Sequence, residues 1–286
     1  MRLIFDTSVV RNYIHQTKPY PDLNLLKNYQ PKIAVSIADP SFAELLIALL
    51  EKRIDFEKWK LRIYEFDSAI DPYMPISPGG HDFALLAGVI EEPPRFKDDS
   101  KLYYQAAWKF LKTARSLEDF KKGLVYKNSS GFKEIKADES LFKKIDEDRD
   151  YWIKFFQDFN KFSKETGFSK NQIKYLSNLG LPIKEGYSLQ AKEKLDPLYQ
   201  SLLQFIEMAI KENSPYNPES PKRRGDIFDF SLLFILALPL TIICSGDIKF
   251  VNRIRQIKSE WIKRLINIEE LNRYLQNKSF HKIVEQ

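Results

Sequence analysis

Apolar and polar positions near the N-terminus follow strand and helix periodicities in turn. An apolar run over residues 2–5 predicts a strand, and residues 6–8 (Asp-Thr-Ser) predict a helix cap whose hydroxyls bond the free N–H groups. An amphipathic helix over 9–16 and a second strand over 32–37 follow. Asp39-Pro40 then predicts a helix with Asp39 as N-cap. The order strand, helix, strand, helix is typical of a parallel sheet.

The same alternation returns at the C-terminal end of the chain. Its pattern predicts a helix over 227–238, a strand over 240–244, a helix over 249–258, a strand over 264–266 and a last helix from residue 269. The segments 1–70 and 220–286 together hold roughly 140 residues, an ordinary size for one domain. They therefore predict a single discontinuous α/β domain.

The intervening segment, residues 71–219, has a different pattern. Loops rich in proline and glycine separate helical periodicities over 103–114, 139–166 and 195–211, and no strand alternation stands out. We therefore expect a mainly helical insertion or lid within the α/β domain.

Charge and cysteine content restrict the class of protein. Forty-five lysines and arginines against 39 acidic residues give a net charge of +6, which is compatible with a polyanionic partner such as nucleic acid. One cysteine excludes an internal disulfide, and three scattered histidines disfavour a zinc site. The single cysteine suits a reducing cytoplasm, where we expect the protein, and no apolar run has the length of a membrane span.

Four acidic residues stand at the ends of apolar segments. Asp6 and Asp247 follow predicted strands, whereas Glu44 and Asp229 lie in the first turns of predicted helices. Parallel strands present their carboxyl ends at one edge of a sheet, so these carboxylates are expected to converge there. Buried carboxylates are costly unless a cation or donor meets them, and a cluster of them suits Mg²⁺ or Mn²⁺. That is the chemistry of metal-dependent phosphodiester hydrolysis.

Four short segments resemble, in order, the motifs of the PIN-domain nucleases. They are IFDTSVV at 4–10, SFAEL at 41–45, GDIFDF at 225–230 and CSGDIKF at 244–250. The separation of 18 positions between the last two acids (247 − 229) matches the helix–strand step of that family. The resemblance covers about the first 65 and the last 70 residues. It implies a PIN-like three-layer α/β/α fold with a central parallel sheet.

The resemblance also implies an activity, an endoribonuclease that uses Mg²⁺ or Mn²⁺. Carried over by position, the catalytic acids are Asp6, Glu44, Asp229 and Asp247, and Asp226 is a candidate fifth metal ligand. Ser8 and Ser245 are expected to support the carboxylates or a bound water. Since many members are toxins of toxin–antitoxin pairs or RNA-processing enzymes, RNA is the expected substrate. The resemblance also allows two protein partners, an antitoxin-like protein and a second copy of the chain.

Several of these residues have alternative roles. The basic run Lys222-Arg223-Arg224 is either a phosphate-gripping element or a solvated loop. Asp6 is alternatively a plain helix N-cap and Asp247 a turn residue. The whole protein is alternatively a catalytically inactive PIN-like module that binds RNA or protein. A haloacid-dehalogenase-like phosphatase also has an Asp after its first strand, but Ser8 stands where that family needs a second Asp.

Overall fold

A computed structural model describes the two ends of the chain and part of its middle. The described residues are 1–29, 32–77, 94–143, 145–147, 149–150, 153–154, 157, 204, 208, 217, 219–220, 225, 228–229, 232–233, 235–237, 240–257 and 259–283.

The described strands form a four-stranded parallel sheet and a separate antiparallel hairpin. They are β1 (Arg2–Phe5), β2 (Ala34–Ile37), β3 (Leu124–Asn128), β4 (Gly131–Ile135), β5 (Thr241–Ser245) and β6 (Leu265–Asn267). The large sheet has the order β2-β1-β5-β6, and β3 pairs with β4. Each neighbouring pair of the large sheet runs parallel. The predicted α/β class with a central parallel sheet is therefore confirmed.

Helices flank this sheet, an arrangement compatible with three layers. The described α-helices are α1 (Thr7–His15), α2 (Leu23–Asn28), α3 (Asp39–Leu50), α4 (Phe56–Asp67), α5 (Pro94–Thr113), α6 (Leu117–Lys122), α7 (Ile248–Ile254) and α8 (Ile268–Gln276). Short 3-10 helices occupy Ile235–Ala237, Trp261–Arg264 and Phe280–Ile283. Within the described part of the chain, no helix has the length and apolar character required to cross a bilayer.

Side chains on both faces of the sheet are buried. Leu3, Phe5 and Cys244 belong to the main hydrophobic core, together with residues of the helices. Ile4 and Ile243 alternate with them along the strands and are equally inaccessible. Strands covered on both faces read as nearly continuous apolar runs, which is the reason that the sequence pattern located them correctly.

The start of α3 differs from the prediction. Ala38 is the N-cap and makes no side-chain capping bond, while Asp39 is the first helical residue. The Ala38 amide donates to the carbonyl of Phe5, and its own carbonyl accepts from the amide of Phe42. The chain thus passes from β2 directly into the helix, and Asp39 as N-cap was wrong.

The middle segment contains a hairpin that its pattern did not reveal. Strands β3 and β4 are five residues each and largely solvent-accessible, and neither shows a clear apolar alternation. They do not extend the main sheet. The predicted helix over 103–114 is confirmed as part of α5, whereas those over 139–166 and 195–211 lie mostly outside the described residues. The division into domain and insertion stays a prediction.

Helix α5 packs against α4, which belongs to the α/β part of the chain. The indole N–H of Trp59 donates to the Leu111 carbonyl at 3.1 Å. Asp67 accepts from the Trp108 indole at 2.7 Å and pairs with Lys112 at 2.8 Å. The described portion of the middle segment therefore shares a core with the N-terminal helices.

Candidate functional site

The site lies where β1 and β5 end beside each other. Phe5 pairs with Cys244 in the sheet, and the Asp6 amide donates to the Cys244 carbonyl at 3.2 Å. Asp6 and Ser245 are consequently neighbours at the carboxyl edge. The strand order reverses between these two strands, since β2 lies on one side and β6 on the other. Ligands of open parallel sheets bind at such a switch point.

The Asp6 carboxylate accepts three hydrogen bonds. Its Oδ1 accepts from the Val9 amide at 3.0 Å and from the Ser8 hydroxyl at 2.6 Å, while Oδ2 accepts from the Ser245 hydroxyl. Asp6 is thus the N-cap of α1, and the cap is its carboxylate rather than the hydroxyls of residues 7 and 8. The Gly246 amide also contributes to stabilising the ionised form of this carboxylate.

Two serine hydroxyls connect the ends of the central strands. Ser8 donates to Asp6 and accepts from the Gly246 amide at 2.6 Å. Ser245 donates to the other oxygen of Asp6 and accepts from the Asp247 amide at 3.0 Å. Together they hold the Asp6 carboxylate in one orientation.

Glu44 reaches the start of α1 from the second turn of α3, one turn later than the sequence predicts, because the helix begins at Asp39. Its Oε2 accepts a hydrogen bond from the Thr7 hydroxyl, which joins α3 to the start of α1. Burial raises the pKa of Glu44, the Thr7 hydrogen bond opposes the shift, and the negative charge of Asp6 adds to it. Burial likewise raises the pKa of Asp6, against the opposing hydrogen bonds from Ser245 and Ser8. Asp6 and Glu44 therefore form an acidic pair, and each has a weakened preference for the ionised state.

Of the other predicted acids, Asp247 and Asp229 lie in the described part of the chain. Asp247 is exposed and caps α7 by accepting from the Phe250 amide at 3.0 Å. Asp229 is half-buried, and its amide donates to the Gly225 carbonyl at 3.0 Å. Asp226 and the basic run 222–224 lie outside the described residues. In the part of the chain that the structure describes, no three His, Cys, Asp or Glu side chains form a group able to hold a metal ion.

Sequence patterns missed three contributors to the site, Thr7, Asn12 and Gly246. A Cβ on Gly246 would lie 2.9 Å from the Ser8 hydroxyl and 3.0 Å from Asn12 Nδ2. The close approach of β5 and α1 thus requires glycine here. The spacing of four residues between Ser8 and Asn12, which places both on one helix face, is the signal that could have identified Asn12.

Gly246→Ala should therefore disturb Asp6 through Ser8. The added methyl group forces the Ser8 hydroxyl away, and overpacking of this kind costs about 1–3 kcal/mol. We expect a corresponding drop in the free energy of unfolding by urea denaturation. The matched control is Gly225→Ala, where a Cβ meets no atom of the described residues within 4 Å. Equal stability of the two variants would contradict the tight contact at Gly246.

Comparisons of this chain with protein-family models, with curated proteins and with solved structures found no match.

Proposed function

We propose that this protein is a PIN-like, Mg²⁺- or Mn²⁺-dependent endoribonuclease whose centre is the acidic pair of Asp6 and Glu44. The observation that carries the proposal is the placement of this pair at the β1–β5 switch point, with Asp6 oriented by two serines. The motif resemblance along the chain supports the same activity.

The residues of the pair fit a hard divalent cation. Both carboxylates have a raised pKa because protein atoms replace water around them, and positive charge would relieve that cost. The donor set is oxygen alone, which suits Mg²⁺ or Mn²⁺. Asp6 and Glu44 would hold the ion, with Asp229, Asp247 and Asp226 as the further ligands that the resemblance implies. A bound ion would activate water for attack on phosphorus and neutralise charge on the phosphate.

The remaining residues of the site position the pair. Ser8 and Ser245 hold Asp6, and Thr7 holds Glu44. Residues 222–224 are proposed to contact phosphates of a single-stranded or structured RNA. We also propose that the protein is cytoplasmic. Its proposed protein partners are an antitoxin-like protein and a second copy of the chain.

Two observations favour a second function, a catalytically inactive PIN-like module that binds RNA or protein. Asp247 is exposed, and the described residues contain no group of three metal-binding side chains. A module of this kind would retain affinity for RNA or a protein without cleaving RNA.

Cleavage of a mixed-sequence single-stranded RNA separates the two functions. The protein is incubated with the RNA in Mn²⁺, Mg²⁺ or EDTA, and products are resolved on a denaturing gel. We expect cleavage with either metal and none in EDTA. RNA that binds but stays intact under all three conditions would support the inactive module and exclude the nuclease.

Thermal stability provides a test that needs no substrate. Because the pKa of Asp6 and of Glu44 is raised above the ordinary values of 3.8 and 4.5, the folded state keeps protons that the unfolded state releases. The contribution of these two protonated groups to stability therefore falls as pH rises from those values through the raised pKa values.

Mn²⁺ should raise the Tm at pH 7.5, and it should raise the Tm by a smaller amount at pH 5, where protons compete with the ion for the carboxylates. At a hundred times its Kd the ion contributes about 2.7 kcal/mol. An Asp6→Asn variant that gains as much Tm from Mn²⁺ as the wild type would contradict a site at Asp6.

A further inference from the structure

One face of α1 leads away from the acidic pair. Thr7, Arg11 and His15 recur every four residues, so they lie above one another on the helix. The Thr7 hydroxyl bonds Glu44, which places the first residue of this face beside the acidic pair. His15 is the last residue of α1, and eight residues of helix correspond to about 12 Å. The face therefore extends from the pair for that distance.

Arg11 is the middle residue of this face. Its side chain is exposed, and its guanidinium forms no ion pair with the residues that the structure describes. Burial raises the pKa of Glu44 most, and the nearby charges of Arg11 and Arg53 are among the influences that lower it. Arg53 is engaged by Glu51 at 2.7 Å, so Arg11 is left as an available cation beside the acidic pair.

Helix α4 adds a second cation at the far end of the face. Burial first, and then the charges of Lys58 and Arg11, lower the pKa of His15. The Asp55 carboxylate opposes this shift with the smallest effect, and it also caps α4 by accepting from the Lys58 amide. Lys58 is exposed and forms no ion pair within the described part of the chain. Two exposed cations therefore flank the half-buried imidazole.

This arrangement suits a chain of phosphates better than a single anion. One phosphate does not reach both ends of a face about 12 Å long, whereas a nucleic-acid strand carries a negative charge at every nucleotide along that distance. Guanidinium and ammonium groups bind phosphate oxygens, and an imidazole N–H donates to them as well. A strand that follows this face would arrive at the acidic pair, where we place the metal-dependent cleavage.

We propose that Arg11, His15 and Lys58, which we call the basic strip, bind successive backbone phosphates of an RNA strand whose scissile bond lies at the acidic pair. The choice of RNA rests on the proposed ribonuclease function. Contacts to phosphates position a strand and carry no sequence information, so the strip contributes affinity without selecting bases. A free polyphosphate and an acidic polypeptide share part of this chemistry, and the experiment separates them.

Binding of a fluorescein-labelled mixed-sequence RNA in EDTA, followed by fluorescence anisotropy, tests the strip without cleavage. We expect Arg11→Ala and Lys58→Ala each to weaken binding about tenfold, since each variant loses a charge-assisted hydrogen bond. Each variant also loses one phosphate contact, so the slope of log K against log salt should become shallower by about 0.7. Arg11→Lys keeps the charge and should keep most of the salt dependence.

Arg115→Ala and Lys60→Ala are the matched controls. Arg115 is exposed in the segment between α5 and α6, whereas Lys60 lies on α4 and pairs with Glu57 at 3.1 Å. Each control removes one positive charge outside the strip and should change the affinity by less than about twofold, because salt screens exposed charges at a distance. An equal loss of affinity in the controls and in the strip variants would show an effect of net charge alone and overturn the strip.

The pKa of His15, measured by NMR, reports a contact that a purely structural role would not change. A phosphate beside the ring stabilises the imidazolium, so the RNA should raise the pKa of His15 above its value in the free chain. The charged groups that face the ring, Arg11, Lys58 and Asp55, are the same in both measurements. His15→Gln assigns the resonance. An unchanged pKa at saturating RNA would overturn the phosphate contact at His15.

Further outcomes separate the strip from the nuclease and from other anions. Tripolyphosphate or poly-glutamate that binds as tightly as the RNA would overturn the RNA strand as occupant. Metal-dependent cleavage with an unchanged KM in both alanine variants of the strip would overturn the strip and leave the ribonuclease intact. RNA binding that depends on the strip, without cleavage in any metal, would support the strip and contradict the nuclease.

Discussion

Asp6→Asn should reduce metal-dependent RNA cleavage by at least about a hundredfold, the order expected when one preorganised charged group is removed from a reaction centre. The substitution removes the negative charge and leaves the size of the side chain nearly unchanged. Asparagine is as good an N-cap as aspartate, so α1 should retain its first hydrogen bond. Initial rates of cleavage at saturating Mn²⁺, together with circular dichroism of the variant, provide the measurement.

The matched control is Asp55→Asn. Asp55 caps α4 in the same manner, with its carboxylate accepting from the Lys58 amide at 2.9 Å, and it is exposed. This control variant should cleave RNA at the wild-type rate. If Asp6→Asn also cleaves at that rate, Asp6 serves as a helix cap alone and the proposed metal site is excluded.

Trp59→Ala should lower the free energy of unfolding by about 3–5 kcal/mol, the usual cost of truncating a buried aromatic side chain. Trp59 is fully buried on α4. Its indole N–H donates to the Leu111 carbonyl of α5, and truncation removes that donor as well. Urea denaturation followed by circular dichroism measures the change. We also expect a single transition, because Trp59 and Leu111 share the main core with the sheet.

Tyr64→Ala on the same helix is the control, since Tyr64 is 60% exposed. It should alter the free energy of unfolding by less than about 0.5 kcal/mol. Two separate transitions in the wild-type chain would show that α5 unfolds independently of the sheet. A small effect of Trp59→Ala would show that this contact contributes little to the fold.

The elements of the parallel sheet were predictable because their residues carry strong local signals. The predicted strands over 2–5 and 240–244 agree with β1 and β5 to within one residue, since buried parallel strands read as apolar runs. The predicted helix over 9–16 overlaps α1, which begins at Thr7 and ends at His15, with Gln16 as its left-handed C-cap. The hairpin β3–β4 escaped prediction because it lies largely at the surface, where packing requires no clear alternation.

The candidate site was predictable only in part. The predicted positions of Asp6 after a strand and of Glu44 in a first helical turn favoured their convergence. In the structure, Glu44 accepts a hydrogen bond from Thr7, the residue next to Asp6, and the charge of Asp6 contributes to the raised pKa of Glu44. Asp247 also follows a strand, yet its carboxylate caps its own helix and remains exposed. Position after a strand places a residue at the edge, whereas the direction of its side chain depends on nearby donors.

The sequence by itself determined the α/β class, the parallel sheet and the edge at which Asp6 and Asp247 lie, since these follow from local periodicity and from the handed connections of strands and helices. Only the tertiary structure decided which groups meet there. Ser8 and Gly246 are 238 positions apart and come into contact because β1 and β5 are neighbours. The raised pKa values of Asp6 and Glu44 depend on the same long-range packing, because burial is a property of the assembled chain.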